Sequence, residues 1–503
     1  MKKYLFILLL AGTALSSCKK DFLDLNENPN FPSSVPAASL LAPAEVRTAS
    51  IVTDPNLAIV QVWMGYWAFS PNYAVNQDTR DYRITNTTGQ GFFTNLYTNA
   101  FDYQTMINAA VAQNNPALEG IGRTMKSFLM QYAVDVYNNV PYTEAFQGTK
   151  NQTPAYENGM SVYEKIYDDL NLAITRFNNV AAVFPTASED IMFKGNKALW
   201  IKMANTIKLR ILLRQSGRAD RAAYIAAKLA TDFPNGLAGF LQANESAVVN
   251  PGYTNSDNKQ NPYWANFGYN VSGAKTGNND FYRSNIYAVN FYKNQNDVRL
   301  FYVANSTGAG SFFGGNFAGA EMGTQGSTTA AYSDITSKDY RSASDPQNIL
   351  SDFESLFLQS EAVARGWFPG GDAVAKQKFD QAKLQSFVFM FDRVDGAGAG
   401  ASYLSLMTPT ADNTFPVGGT LAEKIRVIIT QKWAALNGIN FIEPWAEYRR
   451  TGYPNVPLSS SASRGPRIPL RLKYPQFEYD YNGANVTAQG TIDQFTSKIW
   501  WMP

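Results

Sequence analysis

Histidine does not occur in the 503 residues of this chain, and cysteine occurs once, as Cys18. The first absence removes Ser-His-Asp triads, Cys-His dyads, imidazole general bases and every metal site with an imidazole ligand. The second leaves no thiolate set for iron–sulfur clusters, zinc clusters or redox motifs, and no disulfide. An excess of either charge is missing too. Lys and Arg number 43 against 41 Asp and Glu, so no long-range field recruits nucleic acid or an anionic membrane surface. No G-x-x-x-x-G-K-[ST] phosphate loop occurs, and Gly396-Ala397-Gly398-Ala399-Gly400 lacks G-x-G-x-x-G spacing and reads as a flexible loop. No D-x-[DN]-x-[DN]-G calcium loop is present either. Together these absences predict no cofactor, no metal, no nucleic-acid partner and no enzyme chemistry. Glycoside hydrolysis needs only a pair of carboxylates, but acidic residues placed beside Lys and Arg on helices read as solvated faces.

Long apolar runs are missing as well, with one short exception. Lys2 and Lys3 precede an apolar run over 4–11 and then small residues, the layout of a secretory signal and too short to span a bilayer. The run leads into Leu15-Ser16-Ser17-Cys18, which resembles the site where a bacterial lipoprotein precursor is cut before its acylated cysteine. Residues 1–17 are therefore expected to be a signal peptide, Cys18 to be lipidated, and residues 18–36, with Asn26, Asn28, Pro29, Asn30, Pro32 and Pro36, to be a polar tether. Several acyl chains on Cys18 anchor stably where one binds only marginally. Lys19-Lys20-Asp21 resembles the mixed-charge flag that directs some lipoproteins to the outer leaflet.

What is present is 45% hydrophobic and 14% aromatic content, ample for a large core. Helical periodicity recurs. Val162, Ile166, Leu170, Ala173, Ile174 and Phe177 form one stripe, and Ser161 with Glu164 has capping-box spacing. Trp200, Met203, Ala204, Ile207 and Ile211 form a second. Phe353, Leu356, Phe357, Ser360 and Ala364 form a third, stopped by Gly366 and Pro369 before Asp372 opens the next helix. Thr420 and Glu423 make a second capping box, ahead of Leu421, Ile425, Ile428, Ile429 and Trp433. Weaker patterns predict helices near 99–114, 121–138, 218–232 and 372–388. Short connections between pairs predict an all-α fold in which helix pairs stack side by side. No tetratricopeptide consensus is readable.

Two stretches differ. Residues 60–103 are dense in rings, with Trp63, Tyr66, Trp67, Phe69, Tyr73, Tyr82, Phe92, Phe93 and Tyr97. Residues 250–345 mix Asn, Gly and Ser with Tyr263, Trp264, Phe267, Tyr269, Phe281, Tyr282 and Tyr287, and run into a glycine-dense segment over 308–326. Long irregular segments in a folded domain usually carry function. Sugar rings offer apolar C–H faces and a rim of hydroxyls, so aromatic platforms beside Asn, Asp, Gln and Arg suit them. Composition selects Trp67, Tyr73, Trp264, Asn279, Phe281 and Tyr282 as ligand-binding candidates.

Four blocks then carry a family resemblance. Tyr132-Ala133-Val134-Asp135-Val136-Tyr137-Asn138-Asn139-Val140-Pro141-Tyr142-Thr143-Glu144-Ala145 resembles the D-x-Y-x-x-V-P-Y-T-E-A stretch of SusD-like lipoproteins. Trp200-Ile201-Lys202-Met203-Ala204-Asn205 with Leu209-Arg210 is similar to their W-x-K-x-A-N…L-R helix. Gln431-Lys432-Trp433 and Glu443-Pro444-Trp445-Ala446-Glu447-Tyr448-Arg449-Arg450-Thr451-Gly452-Tyr453-Pro454 resemble their Q-K-W…W-x-E-x-R-R-T-G-Y-P block. Pro466-Arg467-Ile468-Pro469-Leu470-Arg471-Leu472-Lys473-Tyr474-Pro475, with Glu478, Asn482 and Trp500-Trp501, resembles the family's closing pattern. The resemblance to SusD/RagB nutrient-binding outer-membrane lipoproteins implies tetratricopeptide-like helix pairs and a loop-rich ligand-binding part. It also implies a cell-surface location in the outer membrane and a SusC-like, TonB-dependent transporter as partner. On that pattern residues 37–503 form a single domain, with scaffold over about 95–245 and 346–455 and a binding part over about 60–94 and 246–345. The implied ligand is an oligosaccharide, with a peptide receptor or a transporter lid of little intrinsic affinity as alternatives. The matched motifs are expected to be architectural: Arg449 and Arg450 as partners of buried carboxylates such as Glu447 or Glu478, Trp433 and Trp445 as core anchors.

Overall fold

The computed structural model describes residues 35–180, 184, 188–307, 316–324, 326–328 and 331–503. The expected signal peptide, Cys18, the tether as far as residue 34 and most of the glycine-dense run lie outside the described residues. Helix α1, Ala37–Ile51, has no legible stripe in sequence because Pro43 interrupts it and Glu45 and Thr48 lie on its buried face. Helix α2, Gln90–Ala112, starts well before residue 99, since Phe92, Phe93 and Leu96 extend the buried stripe of Ala100 and Tyr103. Helix α3, Pro116–Tyr137, opens with Pro116 at its first position and an Asn115 side chain that accepts from the Leu118 N–H.

Helix α4, Gly159–Asn178, is capped by Asn158, whose side chain accepts from the Met160 N–H. Ser161 is therefore inside the first turn rather than at the cap, and Glu164 instead pairs with Arg221 at 2.7 Å. Helices α5 and α6 follow as Lys197–Arg214 and Ala222–Thr231. Helix α7, Asp352–Ala364, ends where expected: Gly366 has φ +76°, its N–H donates to the Val363 carbonyl, and the Trp367 N–H donates to Ala362. That left-handed stop satisfies the last carbonyls of the helix and favours a residue without Cβ. Helices α8, α9 and α10 cover Gly371–Asp395, Leu421–Leu436 and Glu443–Thr451, and the Thr420–Glu423 capping box forms in both directions.

Neighbouring helices pack in the order α1, α2, α3, α4, α5, while α7 packs on α8, α9 and α5, joining the two stacks into one helical array. Strands are few and short. β1 (Trp67–Phe69) pairs with β5 (Tyr282–Ser284), β2 (Val140–Pro141) with β3 (Tyr156–Glu157), and β4 (Ala247–Val249) with β6 (Gln347–Leu350), all antiparallel. Among the described residues no helix is long and apolar enough to cross a membrane.

Three of the four sequence blocks, with α7, supply one buried ion network, and the closing block borders it through Trp501, whose indole N–H donates to Asp135 Oδ1 at 2.8 Å. Arg214 of α5 reaches Glu443 at 2.6 Å and Glu447 at 2.8 Å on α10, and Asp135 on α3 at 3.4 Å. Arg210 lies 3.2 Å from Glu354 of α7 and 3.3 Å from Glu443. Lys432 of α9 lies 3.0 Å from Glu447 and 3.3 Å from Glu443. Arg450 reaches Glu361 at 2.6 Å and also pairs with Glu447. Arg449 departs from expectation. It donates to the carbonyls of Asp135, Leu470 and Trp445 and lies 3.6 Å over the Trp445 ring, while Glu478 accepts from the Tyr156 hydroxyl at 2.7 Å. Trp433 and Trp445 are core anchors, each at most 1% exposed.

Burial alone pushes the Glu443 carboxyl up, but Arg214, Arg210 and Lys432 hold it down from 4.5 to about 2. Glu447 is held well below its ordinary value despite burial, by Arg450, Lys432 and Arg214. Carboxylates depressed in the folded state add stability above their unfolded pKa and lose it as pH falls toward the folded value. Melting temperature is expected to drop as pH falls from 4.5 toward 2, checked by calorimetry in a pH series; a flat profile across that window contradicts the network's role. Arg214→Ala, which leaves buried carboxylates uncompensated, is expected to cost about 3–5 kcal/mol in denaturant unfolding. A loss below about 1 kcal/mol rejects that assignment.

Candidate ligand-binding site

Pairing of β1 with β5 sets Phe69 opposite Tyr282 and Trp67 opposite Ser284. The ladder continues at both ends, where the Ser70 N–H donates to the Phe281 carbonyl and the Asn285 N–H to Tyr66, each at 2.8 Å. Past Ser70 the chain turns, with the Tyr73 N–H on the Ser70 carbonyl, and delivers Tyr73 to the surface. On the other strand the helical turn Gly277–Phe281, capped by the Thr276 side chain on the Asn279 N–H, delivers Asp280 and Phe281.

The Tyr73 ring meets Phe281 edge-on at 5.4 Å, and Phe281 rests on Phe69 at 5.6 Å and Tyr282 at 4.9 Å. Tyr73 is 37% exposed and Phe281 half-buried. The Tyr73 hydroxyl donates to Asp280 Oδ2 at 2.5 Å. That hydrogen bond, against the opposing effect of burial and with help from the charge of Arg283, holds the Asp280 carboxyl below the usual range. Arg283 lies 3.5 Å from Asp280, and its Nη1 donates to the carbonyls of Asn279, Asp280 and Tyr282. A cation there closes the C-terminal end of the helical turn. The result is a pair of ring surfaces with the Asp280 carboxylate beside them and the buried Arg283 guanidinium, which also lies 3.7 Å from Asp334, compensating that charge from beneath.

The six sequence candidates separate by depth. Tyr73 and Phe281 meet at the surface. Trp264 is half-buried and contacts Tyr269 at 5.3 Å, in the turn Pro262–Phe267 that packs beside Gly277–Phe281. Trp67, expected as a contact, is 1% exposed and wedged among Phe267, Tyr282 and Phe441 at 5.0–5.3 Å. Asn279 is fully buried, its Nδ2 donating to the Gly268 carbonyl at 3.0 Å. Tyr282 is 9% exposed beneath Phe69. These last three support the surface from below. Asp280 and Arg283 went unselected in the sequence, although their i,i+3 spacing beside Phe281 is a readable signal. Phe69 was counted among the rings but not singled out. Among the described residues no group of three or more Asp, Glu or Cys side chains is placed to hold a metal ion.

A comparison with curated proteins gives no match. The sequence pattern of a family described as starch-binding and associating with the outer membrane matches residues 29–475. Among solved structures, a SusD homolog from Bacteroides fragilis NCTC 9343 is 22% identical and covers 93% of this chain and 99% of its own, with a TM-score of 0.73. A SusD-like protein from Bacteroides thetaiotaomicron VPI-5482 is 23% identical with the same coverage and TM-score. A chitin-binding SusD homolog from Flavobacterium johnsoniae is 20% identical and covers 92% of this chain and 98% of its own, with a TM-score of 0.71. These structures share the helical fold over 92–93% of this chain. Since the family pattern covers residues 29–475, which include every member of the buried ion network, the chain belongs to the SusD-like family, described as starch-binding and associating with the outer membrane.

Proposed function

We propose that this chain captures an oligosaccharide at the cell surface and delivers it to a SusC-like, TonB-dependent transporter in the outer membrane. The observation that carries the reading is the Tyr73–Phe281 ring pair with Asp280 beside it, its charge compensated by the buried Arg283. The rings match the C–H faces of a sugar, and Asp280, its charge compensated by the buried Arg283, offers an acceptor to hydroxyls without a net field that would favour a charged ligand. A family described as starch-binding and a chitin-binding structural relative support a glycan over a peptide. The site holds its ligand and performs no bond chemistry in this reading: Asp280 serves as an acceptor, and no imidazole or thiol stands near it. Cys18, acylated after removal of residues 1–17, anchors the domain beside its transporter through the tether over 18–36.

Titration calorimetry with starch- and chitin-derived oligosaccharides is expected to give binding that Tyr73→Ala weakens roughly tenfold. Tyr73→Phe, which keeps the ring and gives up the bond to Asp280, is expected to lose less. Failure of every glycan to bind, with peptides binding instead, defeats the reading. For the anchor, cells grown with labelled fatty acid are expected to label the wild type and not Cys18→Ser, which leaves the membrane fraction. Equal membrane retention of both proteins rejects acylation at Cys18.

A further inference from the structure

A second group of buried charges lies apart from the Arg214–Glu443 network and lacks its cations. Glu45, on the buried face of α1, is fully buried, and its Oε2 accepts from the Ile191 N–H at 2.9 Å, in the turn that leads into α5. Beside it is another fully buried carboxyl, Asp190, to which the Glu45 side chain is hydrogen-bonded. Asp190 Oδ1 accepts from the Met192 and Phe193 N–H groups at 3.0 and 2.8 Å. Its Oδ2 accepts from the Gly195 N–H at 2.7 Å and from the Trp200 indole N–H of α5 at 2.8 Å. No N–H or hydroxyl donor reaches Glu45 Oε1 among the described residues.

Two touching carboxyls inside a protein do not both hold a negative charge without a cation to compensate them. Among the described residues no ion pair joins either one to Lys or Arg; Lys194 of the same turn acts on Glu45 only through its more distant charge. The other elements against α1 supply no partner. On α2, Asp102 pairs with Arg47 at 3.3 Å and the Tyr103 hydroxyl bonds to Thr48 at 2.9 Å. The charged side chains of α3 are engaged with α4 and α5, Glu119 with Arg176, Arg123 and Lys126 with Asp169, and Asp135 with Arg214. Strands β4 and β6 and the turn Pro262–Phe267 carry no charged residue. Burial, and after it the charge of Asp190, push the Glu45 carboxyl well above its ordinary value, against the opposing Ile191 N–H.

We propose that Glu45 carries a proton on Oε1 and donates it to Asp190, so that one shared proton latches α1 to the turn before α5, and that alkaline solution opens the latch. The proton belongs on Glu45 because both Asp190 oxygens already face two N–H donors each. Its loss leaves two negative charges in contact in a low-dielectric interior, and parting α1 from the turn relieves them.

The proposal is independent of the glycan reading and is tested without ligand. Glu45→Gln keeps a carbonyl for the Ile191 N–H and an amide N–H for Asp190, and has no proton to lose. A carboxyl raised in the folded state contributes stability that is complete below its unfolded value and is lost as pH rises through the folded one. Urea unfolding of both full chains is compared from about pH 5 to about pH 9. The folded-to-unfolded ratio of the wild type is expected to fall relative to Glu45→Gln by up to about tenfold per pH unit, so that the variant is the more stable protein at the alkaline end. The wild type alone supplies a second reading if the variant fails to fold. Hydrogen exchange over 37–51 and 190–196, corrected for intrinsic rate, is expected to speed up with pH relative to α9. Parallel unfolding profiles of the two proteins, or protection over 37–51 and 190–196 that keeps level with α9, overturn the proposal.

Discussion

Arg214 and Lys432 share the carboxylates of Glu443 and Glu447 inside the protein, and the rest of the architecture depends on that arrangement. Charges drawn out of water cost several kcal/mol each unless geometry returns the loss. Five helices, α3, α5, α7, α9 and α10, each contribute members. Sliding any one of them strands a charge in a low-dielectric interior, so the network fixes their relative placement more strictly than apolar packing alone, which tolerates small shifts. Repeated pairs of amphipathic helices can stack in several registers; buried ion pairs select one.

The same helix carries the constraint to the candidate site. Next to Lys432 on α9, Trp433 stacks on Tyr66 at 4.8 Å, its indole N–H donates to the Met64 carbonyl at 3.0 Å, and the Tyr66 hydroxyl donates to the Trp433 carbonyl at 2.7 Å. Tyr66 leads directly into β1. An isolated two-stranded ribbon is at best marginal in water, so β1 and β5 need an underlay. Trp67 provides it by packing on Phe267 and Phe441. With the strand held from beneath, the turn that carries Tyr73 and the helical turn that carries Asp280 and Phe281 face each other at hydrogen-bond distance. The burial of Trp67 is thus part of how the Tyr73–Phe281 surface is held.

Much of the helical array was legible because its signals are local. The Thr420–Glu423 box and the Gly366 stop depend on residues within a turn of one another, and both form as read. Helix α1 was not legible, because its buried face carries Glu45 and Thr48, whose partners Ile191, Asn99 and Tyr103 are distant in sequence. The start of α2 was masked by Phe92 and Phe93, rings that read equally well as loop. For the candidate site, sequence selected residues by composition and could not read their depth. Composition cannot tell a tryptophan under a strand from a tyrosine at its edge, since pairing of β1 with β5 decides which rings face outward. Asp280 and Arg283 gain their meaning only once Tyr73 arrives from the other strand.

Hydrogen exchange of the protein with and without a saturating oligosaccharide tests most directly whether the helical array exists to hold that surface for a sugar. The account predicts slowed exchange confined to 70–73 and 277–283, with the amides of α5, α9 and α10 unchanged because the network already holds them. Protection appearing only elsewhere, or loosening of those helices on binding, contradicts it.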